Sequence, residues 1–163
     1  MNLIDRVKNI LLSPKTEWQV IKSETTSVSG MLTSYVLPLS IIPGAIALLS
    51  SAFWGSINYG LIMAIIAVVG AVIGFYVGTY VADALAPSFS SEKNLNRSAQ
   101  LVGYSYTASA VASILGIIPI LGWLAALAGF AYMIYLLYLG TSPIKNTQKI
   151  KELAIQSLLF LFR

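Results

Sequence analysis

Asp83 is the one acidic residue inside a long apolar stretch of this chain. An ionisable group in such surroundings is a candidate proton or ion site. Tyr76 and Tyr80 precede it at helical spacing, and Tyr104, Ser105 and Ser109 follow on the next apolar stretch. Together these six side chains could line a polar cavity. The plainer reading places Asp83 at the interfacial end of its helix, where it faces water or pairs with Lys93 or Arg97. Catalysis has little to draw on. Cysteine and histidine are both absent, which removes the thiol nucleophile, the commonest general base and the commonest metal ligand. No phosphate-binding loop, zinc motif or paired intramembrane carboxylate is present. The sequence therefore predicts no catalytic residue, no metal and no cofactor. Nor does the net charge of +4 indicate nucleic acid, because the ten Lys and Arg form no basic stripe.

The elements that must position these residues are membrane helices. Of the 163 residues, 57% are hydrophobic and only 10% charged, and the mean hydropathy is +0.80. Soluble domains carry roughly 25% charged residues, so this composition belongs in lipid. Residues 25–82 and 98–144 contain no charge at all. One crossing needs about 20 residues, so each stretch holds a helical hairpin. The first turns at Trp54-Gly55-Ser56-Ile57-Asn58 and the second at Gly116-Ile117-Ile118-Pro119. The predicted spans are 31–53, 58–85, 99–116 and 119–140. Leu153 to Phe162 is apolar but covers only about 15 Å as a helix, half of a fifth span. The expected fold is thus all-α: four full transmembrane helices in two hairpins, plus a short or truncated fifth.

Every Lys and Arg except Arg163 lies in the amino-terminal segment, the 86–98 loop or the 141–152 loop. By the positive-inside rule these face the cytoplasm, predicting a multi-pass protein of the plasma (inner) membrane with a cytoplasmic amino terminus. Trp54 and Trp123 then mark the outer interface. Residues 1–29 form an amphipathic cytoplasmic segment, and 30–163 the transmembrane domain. In that segment Leu3, Ile4, Val7, Ile10 and Leu11 share a face with Asp5, Arg6, Lys8 and Asn9 opposite, and Trp18 and Ile21 share another beyond Pro14. It is expected to lie on the inner leaflet or to dock against the cytoplasmic loops.

Two ridges of small residues offer packing faces. Gly70, Gly74 and Gly78 repeat every fourth residue along the second span, and small residues let helix backbones approach closely in lipid. Packing inside the chain is the leading expectation for this ridge, with a second copy as the alternative. Ser105, Ser109 and Ser113, beside Ala108, Ala112 and Gly116, predict an interior position for the third span.

Ordered fragments along the chain carry a family resemblance. The text opens Arg6-Val7-Lys8-Asn9-Ile10-Leu11-Leu12 and Pro14-Lys15-Thr16-Glu17-Trp18. It continues Ala84-Leu85-Ala86-Pro87-Ser88-Phe89, Glu92-Lys93-Asn94-Leu95 and Leu101-Val102-Gly103-Tyr104-Ser105-Tyr106-Thr107. It ends with Ile118-Pro119 and Tyr135-Leu136-Leu137-Tyr138-Leu139-Gly140. In order and spacing this resembles the Yip family, the Ypt/Rab-interacting membrane proteins, in its prokaryotic branch. The resemblance implies five spans, a cytoplasmic amino terminus and no catalytic activity. Eukaryotic members of the family are associated with Rab GTPases and vesicle traffic. Ala108 departs from the Pro usual after the Tyr-Ser-x-Thr stretch, so the resemblance does not carry a kink there.

The leading functional expectation is a non-enzymatic membrane scaffold or adaptor in the lipid bilayer. It would associate through small-residue helix faces and hold a membrane or cytoplasmic protein on its basic loops. The alternative is a small oligomeric transporter or channel with a cavity near Asp83, Ser105 and Ser109. A lipid-binding role, with Lys145, Lys149 and Lys151 holding anionic headgroups, lies between them.

Overall fold

The computed structural model describes residues 2–54, 56–89 and 91–144, and among these all regular structure is helical. Two short helices, α1 (Leu3–Leu12) and α2 (Pro14–Ser23), form an amino-terminal hairpin. Ser13 ends α1 with its N–H on the Asn9 carbonyl, and Pro14 starts α2 where its missing N–H costs nothing.

A continuous helical rod follows, made of α3 (Val28–Met31), a π-helical turn (Leu32–Val36) and α4 (Leu37–Trp54). Pro38 explains the π turn. It has no N–H for the Ser34 carbonyl, and its ring would collide with that carbonyl in regular α geometry. Widening the turn relieves the collision, and Leu37 N–H reaches back to Leu32 O instead.

The next helix, α5 (Ile57–Ala84), is 28 residues long, or about 42 Å, well beyond a hydrocarbon core of about 30 Å. It packs along α4. A Cβ added at Gly60 would overlap Ser51 Oγ, so glycine is what lets the two helices meet near their turn. A 3-10 turn at Ala86–Phe89 leads to α6 (Leu95–Ser105), α7 (Thr107–Ala112) and a second 3-10 stretch (Ser113–Ile117). The last helix, α8 (Pro119–Ile144), packs on α7, α6 and α2.

Three helices are long and apolar enough to cross a membrane: Val28–Phe53, Ile57–Ala84 and Pro119–Ile144. The stretch expected as span 99–116 is instead a run of three pieces from Leu95 to Ile117. It still traverses the bundle. Its start is tied to Asp83 through Ser98, and its far end receives a hydrogen bond from Ser50 at the Gly116 carbonyl. Everything from Ser98 to Ser105 is buried, which accounts for its small, polar composition.

The helix breaks at Tyr106 without a proline. Thr107 Oγ1 donates to the Tyr104 carbonyl at 2.6 Å and receives the Tyr35 hydroxyl at 2.7 Å, diverting a carbonyl from the regular ladder. Gly129 brings α8 close to this run: an added Cβ there would lie 2.5 Å from Ala112 Cβ and 3.2 Å from Ala108 O. The expected half span at Leu153–Phe162 lies outside the described residues.

Candidate functional site

The most elaborated polar cluster lies where the amino-terminal hairpin meets the bundle, and it is built around Arg6. In α1, Leu3, Arg6 and Ile10 follow i, i+3, i+7 spacing and share one face, so docking that face carries Arg6 inside with the apolar residues. Arg6 is only 5% exposed. Its guanidinium donates to Glu17 Oε1 at 2.5 Å and to both carboxylate oxygens of Glu24. The same group stands 5.2 Å over the ring of Tyr104. Burial pulls the Arg6 pKa down, but the Glu24 hydrogen bond and the neighbouring charges outweigh it, and the net shift is upward. Arg6 is therefore a permanent cation with its donors engaged.

Around it sits an aromatic shell. Tyr104 receives the edges of Tyr35 at 4.7 Å and Trp18 at 6.3 Å between centroids. Trp18, Ile10 and Ile21 are completely buried. Gly140 makes room for them: an added Cβ would lie 2.7 Å from Trp18 and 2.6 Å from Leu101. Three further bonds fasten the hairpin. Arg97 and Gln100 of α6 donate to the Glu24 carbonyl, and the Tyr132 hydroxyl of α8 donates to the Leu11 carbonyl at 2.7 Å. The hairpin is thus docked against α6 and α8 of the bundle. Chemically the cluster is a closed lock: both carboxylates are bound to Arg6, so neither is set up as a free general base. Among the described residues no group of three acidic side chains could hold a metal ion.

The six residues expected around a polar cavity are not brought together. Asp83 accepts the Asn94 N–H at 2.7 Å and the Ser98 hydroxyl at 3.1 Å, which ties the end of α5 to the start of α6. Tyr76 and Tyr80 point outward, Tyr80 being 58% exposed. Tyr104 belongs to the hairpin lock. Ser105 is buried beside it with no partner for its hydroxyl among the described residues, as is Thr79 on α5. Ser109 donates weakly to the Met133 sulfur at 3.5 Å.

The glycine ridge divides in two. Gly78 meets Val102, with an added Cβ at 3.0 Å, whereas a Cβ added at Gly70 or Gly74 would meet nothing within 4 Å among the described residues. Among the described residues, Gly78 is the one of the three whose added Cβ would contact another helix. Close approaches are made by Gly60, Gly103, Gly122, Gly129 and Gly140, which show no four-residue repeat. Gly70 and Gly74 instead wall a trough between α5 and α8, floored by α6 and α7. It consists of two grooves of ≈330 Å³ each, which share Gly74, Val102 and Met133. The upper groove is bordered by Pro43, Tyr106 and Ser109, the lower by Leu85, Ser91 and Thr141.

The buried Arg6 was missed by the sequence reading because its charge assigned it to the polar face of α1. Its i, i+3, i+7 relation to Leu3 and Ile10, with Glu17 and Glu24 seven apart, was the available signal.

Residues 8–162 match the Yip1 domain. No curated protein and no solved structure matches the chain.

Proposed function

The chain belongs to the Yip1-domain family, and from that premise we propose that it is a non-enzymatic scaffold or adaptor of the plasma membrane, holding a protein partner on its amino-terminal hairpin. The hairpin and the basic loops face the cytoplasm in this reading, and the run 95–117 completes a fourth crossing. One observation carries it: the docked hairpin displays large exposed apolar side chains. Ile4 and Leu12 are each 72% exposed and Val20 is exposed as well, on the two helices that also carry Lys8 and Lys15. Exposed apolar groups on an element outside the spans indicate a contact surface. Photo-crosslinking from positions 4 and 12 in living cells tests this. A discrete protein adduct is expected, and adducts to lipid alone would replace the adaptor with a lipid-surface role.

The transporter alternative has a narrower basis, the unpartnered hydroxyls of Ser105 and Thr79. It requires single cysteines at 83, 105 and 109 to react with a membrane-impermeant thiol reagent. The adaptor reading expects reaction at 83 alone.

A further inference from the structure

Two irregular points of the bundle, the π turn Leu32–Val36 in the rod and the break at Tyr106 in the buried run, touch each other. π turns and interrupted ladders are where helices kink and hinge. Tyr35, in the π turn, donates its hydroxyl to Thr107 Oγ1 at 2.7 Å, and Thr107 donates its own to the Tyr104 carbonyl at 2.6 Å. The buried run also presses on that turn directly. A Cβ added at Gly103 would lie 2.6 Å from Met31 and 3.3 Å from Val36, the residues that bracket it.

We propose that the amino-terminal hairpin is a strap across this paired hinge: docked, it holds the π turn and the Tyr106 break together, and released, it lets both bend. This goes beyond the adaptor reading and stands without it. Continuity is the first argument. The Arg6 guanidinium stands 5.2 Å over Tyr104, and the ring of Tyr104 meets Tyr35 at 4.7 Å between centroids. The Tyr104 carbonyl is the one that Thr107 engages at the break. Tyr104 thus belongs to the hairpin lock through its ring and to the hinge through its backbone. Span is the second argument. Arg97 and Gln100, before the break, hold the Glu24 carbonyl that follows α2, while α1 packs on α7 beyond the break. The hairpin therefore grips the run on both sides of Tyr106. Imbalance is the third: Ser105, next to the break, is fully buried with no partner for its hydroxyl among the described residues. That deficit burdens the docked arrangement, and relieving it in a bent one brings the two closer in energy.

Hydrogen exchange of the full chain in lipid nanodiscs tests the strap in both directions. Arg6→Gln should speed exchange of the amides in Leu32–Val36 and residues 106–110 by roughly tenfold and leave α5 unchanged. Tyr35→Phe removes a hydrogen bond at the hinge and none in the hairpin. Because coupling is reciprocal, it should speed exchange in α1 and α2 by about fivefold. In the Tyr35→Phe background, Arg6→Gln should add less at the hinge than it does alone. A lock that only fastens the hairpin gives another pattern. An Arg6→Gln effect confined to α1 and α2, or a Tyr35→Phe effect confined to the hinge, overturns the proposal, and so does an equal Arg6→Gln effect at the hinge in both backgrounds. Should Arg6→Gln not fold, the wild type decides alone. Its hairpin and hinge amides should then share one opening constant and one denaturant dependence, opening more readily than α5. Two distinct opening constants would overturn the strap.

Discussion

Replacing Arg6 by alanine tests the lock at the hairpin. The substitution removes the partner of Glu17, whose side chain is only 5% exposed, and the guanidinium bound by the Glu24 carboxylate, whose side chain is 34% exposed. Breaking a buried ion pair from one side costs about 3–5 kcal/mol, since the remaining charge stays buried without a counterion. Nearly all of that falls on Glu17, because an exposed carboxylate recovers hydration and such pairs contribute about 0–1 kcal/mol. The lost contact with Tyr104 adds about 0.5–2 kcal/mol. Against this stand Ile10, Trp18 and Ile21, each worth roughly 1.5–3 kcal/mol when fully buried. The apolar anchors outweigh the lock, so the hairpin should remain docked on average while opening more often. At about 1.4 kcal/mol per tenfold, the open fraction rises by about a hundredfold or more. Hydrogen exchange of the α1 and α2 amides reads it directly: protection should fall there and stay unchanged in α5 and α8. Adding Glu17→Gln to Arg6→Ala should restore part of the protection by removing the orphaned charge. Equal protection in wild type and Arg6→Ala, or a double variant worse than the single, would refute the reasoning.

Other substitutions probe the bundle. Asp83→Asn keeps an acceptor for the Asn94 N–H and the Ser98 hydroxyl, so its melting temperature should stay near wild type, whereas Asp83→Leu loses both bonds and about 1.5–3 kcal/mol. Gly129→Ala puts a methyl 2.5 Å from Ala112 Cβ and should cost about 1–3 kcal/mol in thermal unfolding, through forced separation of α7 and α8. Tyr35→Phe leaves Thr107 without its donor and should cost about 1 kcal/mol in the same assay, with α6 exchange rising around the Tyr106 break.

The long helices were legible because charge is excluded from lipid. The expected 31–53, 58–85 and 119–140 correspond to Val28–Phe53, Ile57–Ala84 and Pro119–Ile144. The third expected span was legible in place and in its interior position but not in form. Its break depends on Thr107 meeting Tyr35 from another helix, a contact that no local pattern contains. The glycines show the same limit. A four-residue repeat says that a helix can be approached closely, but which face receives a neighbour is decided by the fold around it. Hence Gly140, with no repeat to mark it, lies against Trp18, while a Cβ added at Gly74 would meet nothing within 4 Å among the described residues.

Arg6 makes the point most sharply, because hydropathy and spacing disagree at that residue. Hydropathy assigns a lone arginine on an amphipathic helix to the water side, whereas spacing puts it on the face of Leu3 and Ile10. Spacing wins once two carboxylates are supplied from α2 and its end, since a buried cation is tolerated when paired and hydrogen-bonded. Both carboxylates come from sequence positions close to the Pro14 turn, so the pairing is local in sequence. The surface that receives it is not: Tyr104, Gln100 and Arg97 come from the buried α6. The hairpin is therefore held by residues of the buried α6 together with Tyr132 and Gly140 of α8.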